Sequence, residues 1–164
     1  MEQNLITRPS QSKDEDGIWE IIKEVISSGD TYVFSPNSSK EKMLTYWFAD
    51  HIHTYTVIRS DQIVGTFIIK DNHPDLGSHI ANASYMISPK HQGMGLGRQM
   101  AENSLIIAKE LGYRAMQFNI VVKSNERALK LWDKMGFKVV GEVPEAFKHP
   151  KKGYANALIL WKKL

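Results

Sequence analysis

The 164-residue sequence has the length of one domain, and its 42% hydrophobic and 24% charged residues are ordinary for a soluble globular protein. It has no cysteine, which excludes disulfides, thiolate metal sites and a cysteine nucleophile. The net charge of +3 comes from scattered lysines and arginines, whereas a nucleic-acid-binding protein usually concentrates them in a stripe or an arm.

The beginning of the chain has no apolar core of signal-peptide length, and no apolar run approaches the ~20 residues of a membrane span. We therefore predict a cytoplasmic protein that has neither a membrane nor a nucleic-acid partner. Neither a repeat nor a linker interrupts the pattern, so residues 1–164 are predicted to form a single α/β domain.

Hydrophobic periodicity and turn residues predict elements in the order β-αα-βββ-α-β-α-ββ. Ser12 with Glu15, and Ser38 with Glu41, have capping-box spacing before the first two helices, and Ser124 is the expected cap of the fourth. The predicted ranges are a strand at 5–8, helices at 13–28 and 39–49, a hairpin at 54–70 that turns at 60–62, a strand at 79–88, a helix ending near 111, a strand at 115–122, a helix ending at 135, and strands at 137–143 and 154–164.

The stretch ISPKHQGMGLGRQM places Gly93, Gly95 and Gly97 just before the third helix. Glycine lets a ligand approach the main chain, and the first turn of a helix has unpaired N–H groups at the positive end of its dipole. The pattern favours a phosphate-binding loop, to which Arg98 adds charge. A turn without a ligand would need fewer glycines, and the spacing fits neither a Walker loop nor a Rossmann fingerprint.

This stretch resembles the acyl-CoA-binding loop of the GNAT superfamily of N-acetyltransferases, Q/R-x-x-G-x-G/A after a strand that ends near Val/Ile-x-Pro. The positions that match are Gln92, Gly95 and Gly97 in the loop, with Ile87 and Pro89 before it. Downstream, SNERALKLWDKMGF resembles the family block N-x-x-A-x-x-L-Y-x-x-x-G-F at Asn125, Ala128, Leu131, Gly136 and Phe137. The close resemblance covers about 85–137.

The resemblance implies an α/β GNAT-like fold whose mixed sheet is splayed between the strands at 79–88 and 115–122. It also implies acetyl-CoA as the cofactor, with its pyrophosphate on the main chain of 92–98, its pantetheine arm along 85–88, and Asn125 near the thioester. The implied cofactor-binding residues are Tyr85, Met86, Ile87, Ser88, Gln92, Gly93, Met94, Gly95, Leu96, Gly97, Arg98 and Asn125.

The sequence departs from the family at Trp132, where a tyrosine often serves as general acid to the departing thiolate. An indole N–H is no useful acid at neutral pH, so packing is the favoured role for Trp132. The proton would then come from water or from another tyrosine, or hydrogen bonds alone would stabilise the thiolate.

The strands that flank the predicted gap contain no carboxylate, and each carries an asparagine instead, Asn82 and Asn119. Two interpretations stay open for these amides: a structural bond to the backbone, because burying an amide unpaired costs on the order of 1–3 kcal/mol, or a polar group on the substrate side. Asn119 and Asn125 are the catalytic candidates. The substrate-binding candidates are Asn82 and Asn119, with Tyr32 and Phe34 from the loop that covers the acceptor site in this fold.

No metal site is predicted, because His51 and His53 lack a third ligand. His79 as a base and Tyr154 as a pocket residue are less favoured than a turn histidine and a rim tyrosine.

The leading hypothesis is an enzyme that moves the acetyl group of acetyl-CoA directly onto the amine of a small molecule. GDTYVF and the C-terminal FKHPKKGYANALILWKKL resemble acetyltransferases of small amino acids and proline analogues, which suggests an amino acid or a related metabolite or xenobiotic. The alternatives are an acetyltransferase of protein N-termini or lysines, and a non-catalytic acyl-CoA-binding module. Dimers are common in the superfamily, and the sequence leaves a homodimer as open as a monomer.

Overall fold

A computed structural model describes residues 5–164, and its element order confirms the predicted one. The helices are α1 (Glu15–Ser27), α2 (Lys40–Trp47), α3 (Leu96–Glu110) and α4 (Glu126–Lys134). The strands are β1 (Leu5–Pro9), β2 (His53–Arg59), β3 (Gln62–Asp71), β4 (Ile80–Ile87), β5 (Ala115–Val122), β6 (Lys138–His149) and β7 (Gly153–Lys163). None of the helices among residues 5–164 has the length and apolar character needed to cross a membrane.

The strands form one mixed sheet in the order β1-β2-β3-β4-β5-β7-β6. β4 and β5 are the parallel pair, as the crossover through α3 requires. Their register holds for Ile80 with Ala115 and Ala81 with Met116, after which the two strands separate. The predicted splay of the sheet is therefore confirmed.

Helices cover both faces of the sheet. α1 and α2 pack on one face, where Ile22 and Trp47 join Met86 of β4 in one apolar cluster. α3 and α4 pack on the other face, where Met100 and Ala83 belong to a second cluster. β4 thus contributes to both cores, which fixes the strand that borders the gap.

The first helix starts differently from the prediction. A one-turn 3₁₀ helix (Ser12–Asp14) precedes α1, and Asp14, rather than Glu15, is its capping carboxylate: it accepts the backbone N–H of Gln11 at 2.8 Å. Arg8 holds the same carboxylate with two hydrogen bonds of 2.7 and 2.8 Å. The strand β1 supplies this arginine, so the cap depends on a tertiary contact that residue spacing alone does not reveal.

Two other caps lie one residue later than predicted. Ser39, not Ser38, caps α2, because its backbone is extended (φ −71°, ψ 158°) and its side chain accepts the N–H of Lys42. Asn125, not Ser124, caps α4. These shifts lengthen no element by more than a residue.

The hairpins agree with the prediction except at the end of β6. The turn between β2 and β3 is made by Ser60 and Asp61, which both have positive φ (49° and 59°), as a two-residue hairpin turn requires. β6 continues past the predicted end at 143 to His149, across a register shift between Val143 and Phe147. The irregular pairing there hides the strand from a search for simple alternation.

Candidate active site

One edge of β4 has no strand partner where β5 turns away. The backbone N–H of Ser88 and the C=O of Ile80 are both bonded on the β3 side of the strand. Successive residues of a strand direct their backbone groups to opposite edges, so the odd-numbered residues face the gap. Beyond Ala81, which still pairs with β5, the residues with free backbone groups toward the gap are Ala83, Tyr85 and Ile87.

The glycine loop lies at the end of this open edge and leads into α3. Gly93 and Gly95 have φ of +81° and +76°, and a Cβ atom added at either would meet nothing within 4 Å. Gly95 is the N-cap of α3 and supplies no side chain to bond the free N–H groups of the first turn. The left-handed backbone requires glycine here, and the open space beside the helix start suits an anion.

Gly97 has a different role from its two neighbours. A Cβ atom there would lie 3.4 Å from the Ile87 side chain and 3.7 Å from that of Leu131. The absence of a side chain at this position therefore allows α3 to pack closely against β4 and α4.

Two cavities meet at the gap between β4 and β5. The glycine-side cavity, about 680 Å³, runs from the glycine loop along β4 to α4. The aromatic cavity, about 250 Å³, lies under the loop between α1 and α2 and includes Phe34, Tyr46 and Trp132 in its lining. The residues that line both cavities are Thr31, Tyr32, Tyr85, Asn125, Ala128 and Trp132.

Tyr32 stands at this junction. Its hydroxyl lies near the backbone of Tyr85, on the open edge of β4. Burial raises the pKa of Tyr32 above its usual value, and the nearby Tyr85 backbone opposes that rise. The hydroxyl of Tyr85 is itself engaged with Ser104 of α3 at 2.7 Å, and burial raises the pKa of this phenol as well.

An open strand edge, a glycine-rich helix start and a splayed parallel pair form one continuous site. The family model of the acetyltransferase (GNAT) family matches residues 19–137. The chain belongs to this family. The predicted family and fold are therefore confirmed, and the family is one of enzymes that transfer acetyl groups.

Solved structures and a curated relative agree with this assignment. A GCN5-related N-acetyltransferase from Kribbella flavida is 34% identical, with a TM-score of 0.91 over 98% of each chain. The N-acetyltransferase aca1 of Schizosaccharomyces pombe is 31% identical over 112 residues, 68% of this chain and 54% of the relative. The chain thus spans about half the length of that relative.

A more distant structure carries the cofactor of the family in its name. The GNAT superfamily phosphinothricin acetyltransferase from Sinorhizobium meliloti, solved in complex with AcCoA, has a TM-score of 0.84 at 16% identity, covering 98% of this chain and 88% of the other. At this identity the likeness is one of fold.

Most of the cofactor-binding residues predicted from the GNAT motifs line the glycine-side cavity. Ser88 and Met94 do not: Ser88 bonds toward β3, and the Met94 sulfur contacts Arg59 at 3.4 Å on the surface. The ten that line the cavity are Tyr85, Met86, Ile87, Gln92, Gly93, Gly95, Leu96, Gly97, Arg98 and Asn125.

Asn125 and Trp132 both lie at the junction of the cavities. The Asn125 Oδ1 accepts the backbone N–H of Ala128 at 3.2 Å, so the carbonyl oxygen of this side-chain amide caps the start of α4. Trp132 is 8% exposed and its ring lies 4.5 Å from that of Phe118 and 5.1 Å from that of Tyr85. These contacts favour packing as the role of the indole.

The two asparagines of the flanking strands differ in environment. Asn82 donates to the backbone oxygen of Gln117 at 3.0 Å, across the point where β4 and β5 part, which favours the structural interpretation. Asn119 is exposed and bonds the side chains of Asn72 and Gln117 at 2.8 and 2.9 Å. The register shift after Phe118 accompanies this outward position, so the assumption that both amides are buried is wrong for Asn119. Both nevertheless line the aromatic cavity.

Sequence reasoning missed Tyr46 and Arg127. The Tyr46 hydroxyl accepts a hydrogen bond from Lys70 at 3.1 Å, and its ring meets that of Phe34 at 5.4 Å. The position of Tyr46 off the apolar face of α2 is the signal that could have identified it. Arg127 lines the glycine-side cavity and bonds Gln92 at 3.3 Å, which adds a cation that the family motif leaves unspecified.

The remaining candidates lie away from the site. His51, His53 and His79 are exposed, and residues 5–164 contain no cluster that could hold a metal ion. Tyr154 is 64% exposed and lines neither cavity. Among the described residues no carboxylate lines the aromatic cavity.

Proposed function

We propose that this chain is an acetyl-CoA-dependent N-acetyltransferase that acetylates the amine of a small molecule. The observation that carries the proposal is the open edge of β4, which leads from the glycine cradle directly to the aromatic cavity. Such an edge binds an extended chain of amides, and the cavity at its end is where a second reactant would meet it.

The residues of the glycine-side cavity fit acetyl-CoA, which would supply the acetyl group as a thioester. The N–H groups at the start of α3 would hold the pyrophosphate, and Arg127 would add positive charge. Tyr85 and Ile87 would offer backbone N–H and C=O groups to the amides of the pantetheine arm. Leu96 and Leu131 provide an apolar wall.

The size and chemistry of the aromatic cavity favour a small acceptor. At about 250 Å³, it is small for an extended peptide, and Tyr32 and Phe34 cover it. Binding there would hold the amine close to the thioester, and this positioning supplies much of the rate in a direct transfer. Because no carboxylate lines the cavity among residues 5–164, we propose that water, oriented by Asn82 and Asn119, removes the amine proton.

The finer parts of the proposal rest on composition and on the family. An amino acid or a related metabolite or xenobiotic is the proposed acceptor class, and the cytoplasm is the proposed location. A homodimer is left as open as a monomer.

The test is a thiol-release assay with acetyl-CoA and a panel of amino acids, proline analogues, polyamines, aminoglycosides and short peptides. Turnover with one small amine supports the proposal and names the acceptor class. Turnover with peptides alone contradicts the small-molecule part. A rise in melting temperature with acetyl-CoA, but silence across the panel, favours the binding module. Neither a rise nor turnover overturns the proposal altogether.

A further inference from the structure

The junction of the two cavities offers one phenol whose proton is available. Of the six residues that line both cavities, Tyr32 and Tyr85 carry phenols, and the hydroxyl of Tyr85 is bonded to Ser104 on the α3 side. Trp132 has no useful acid proton, and a threonine hydroxyl such as that of Thr31 is far less acidic than a phenol. Tyr32 is therefore the group at the junction with the chemistry of a proton donor.

The position of Tyr32 places its phenol in the junction. Tyr32 lines both cavities, and its hydroxyl lies near the backbone N–H of Tyr85, a donor that cannot take the phenol's proton. The ring stacks on Phe34 with centroids 6.4 Å apart, and Phe34 meets Tyr46 edge-on at 5.4 Å. This aromatic wall holds the phenol against the open edge of β4.

We infer that Tyr32 is the general acid of the transfer, taking the role of the tyrosine that Trp132 replaces; the inference rests on the proposed function. As the amine nitrogen bonds to the acetyl carbon, the C–S bond breaks and its electron pair goes to sulfur. Tyr32 gives its hydroxyl proton to that sulfur, which leaves as a thiol. The phenolate then takes up the proton that the acylated nitrogen gives up, through water, so the tyrosine is regenerated.

The surroundings of Tyr32 suit this role. Burial keeps the phenol protonated at neutral pH, as an acid must be before it donates. The nearby Tyr85 backbone N–H would stabilise the phenolate during the short time it exists, because a hydrogen bond to a charged oxygen is stronger than one to a neutral oxygen.

The inference is tested first without any acceptor, by titrating the thiol of protein-bound CoA through the ultraviolet absorbance of its thiolate. A phenol that donates to sulfur stabilises the thiolate and lowers the pKa of the bound thiol. We expect this pKa to be higher by about one pH unit in Tyr32→Phe than in the wild type. Tyr154→Phe, at an exposed tyrosine outside both cavities, should match the wild type. Equal values in Tyr32→Phe and the wild type overturn the inference.

The second test is turnover with the acceptor that the panel identifies. Loss of a general acid should lower kcat in Tyr32→Phe by roughly 100-fold. The Kd for CoA, measured by calorimetry, should stay within about twofold of the wild type, since the phenol adds little to ground-state binding. A wild-type kcat in Tyr32→Phe overturns the inference and leaves the proposed function standing. Failure of the wild-type protein to bind CoA overturns the proposed function, and the inference with it.

Discussion

The glycine-side cavity and the aromatic cavity are built by different groups of the chain. The first includes the glycine loop around Gly93 and Gly95 and the free edge of β4, which offer main-chain groups to a ligand. The second is lined by residues of α2, β4, β5, α4 and the loop between α1 and α2. A site that binds its ligand through main-chain groups is disturbed by any added side-chain atom or charge. A site lined by side chains can accept a different ligand when one of its residues is substituted. We therefore expect the donor site to tolerate little variation and the acceptor site to define specificity.

The largest expected effect comes from a charge in the glycine cradle. Gly95→Asp puts a carboxylate where the pyrophosphate would bind, and like-charge contact of this kind should weaken acetyl-CoA binding by about 100-fold or more. Gly112→Asp is the matched control, because Gly112 also has positive φ (+94°) with nothing within 4 Å, at the other end of α3. Calorimetry on both variants separates ligand repulsion from backbone strain. Equal affinities of the two variants for acetyl-CoA would show that the glycine cradle is not part of the binding site.

Next in size is the acid sensitivity of the ion pair between Arg8 of β1 and Asp14, just before α1. The bidentate bonds from Arg8 hold the pKa of Asp14 at about 2, below its ordinary 3.8. The ionised carboxylate thus stabilises the fold above about pH 4, and this stability is lost as the pH falls toward 2. Asp14→Asn should lower the free energy of unfolding at pH 7 by about 2 kcal/mol and flatten its pH dependence.

Denaturant unfolding at several pH values measures this effect. Asp16→Asn is the control, because Asp16 is exposed and its pair with Lys40 is screened by solvent. If Asp14→Asn keeps the wild-type acid profile, the carboxylate is not a determinant of stability.

Asn125 separates capping from ligand binding. Asn125→Ala removes the cap of α4 and should cost about 1 kcal/mol of stability. Asn125→Asp retains the capping oxygen but loses the amide N–H₂, so we expect it to restore the melting temperature without restoring turnover. Recovery of both properties in Asn125→Asp would assign Asn125 to the helix alone.

The smallest effects should distinguish the two strand asparagines. Asn82→Ala leaves the backbone oxygen of Gln117 unpaired at the point where the sheet splays, which should cost about 1 kcal/mol. Asn119→Ala, at an exposed position, should change stability by less than about 0.5 kcal/mol. If the acceptor KM rises in Asn119→Ala while its stability stays unchanged, the substrate role of that amide is supported. An unchanged KM argues against it.

The donor half of the site could be predicted from the sequence because its determinants are local. Gly93 and Gly95 specify positive φ and open space within three residues, and Asn125 belongs to a motif that the sequence contains, although the predicted cap of α4 lies one residue earlier, at Ser124. Local backbone geometry is encoded by neighbouring residue types, so these features can be found without knowing what packs against them.

The acceptor half depends on segments that are distant in the chain. Tyr46 lies on α2, and only the packing of that helix brings its ring beside Phe34 and its hydroxyl to Lys70. The outward turn of Asn119 follows from a bulge in the pairing of β5 with β7, and the capped 3₁₀ turn before α1 needs an arginine from β1.

By itself, then, the sequence determined the order of the elements, the glycine cradle and the family motifs, because hydrophobic period, turn residues and helix starts are properties of short segments. Only the tertiary structure decided which phenol stands at the junction of the cavities and which amides face it. The physical reason is that the backbone N–H of Tyr85 becomes free only where β5 leaves β4, and Tyr32 reaches it from a loop more than fifty residues earlier in the chain.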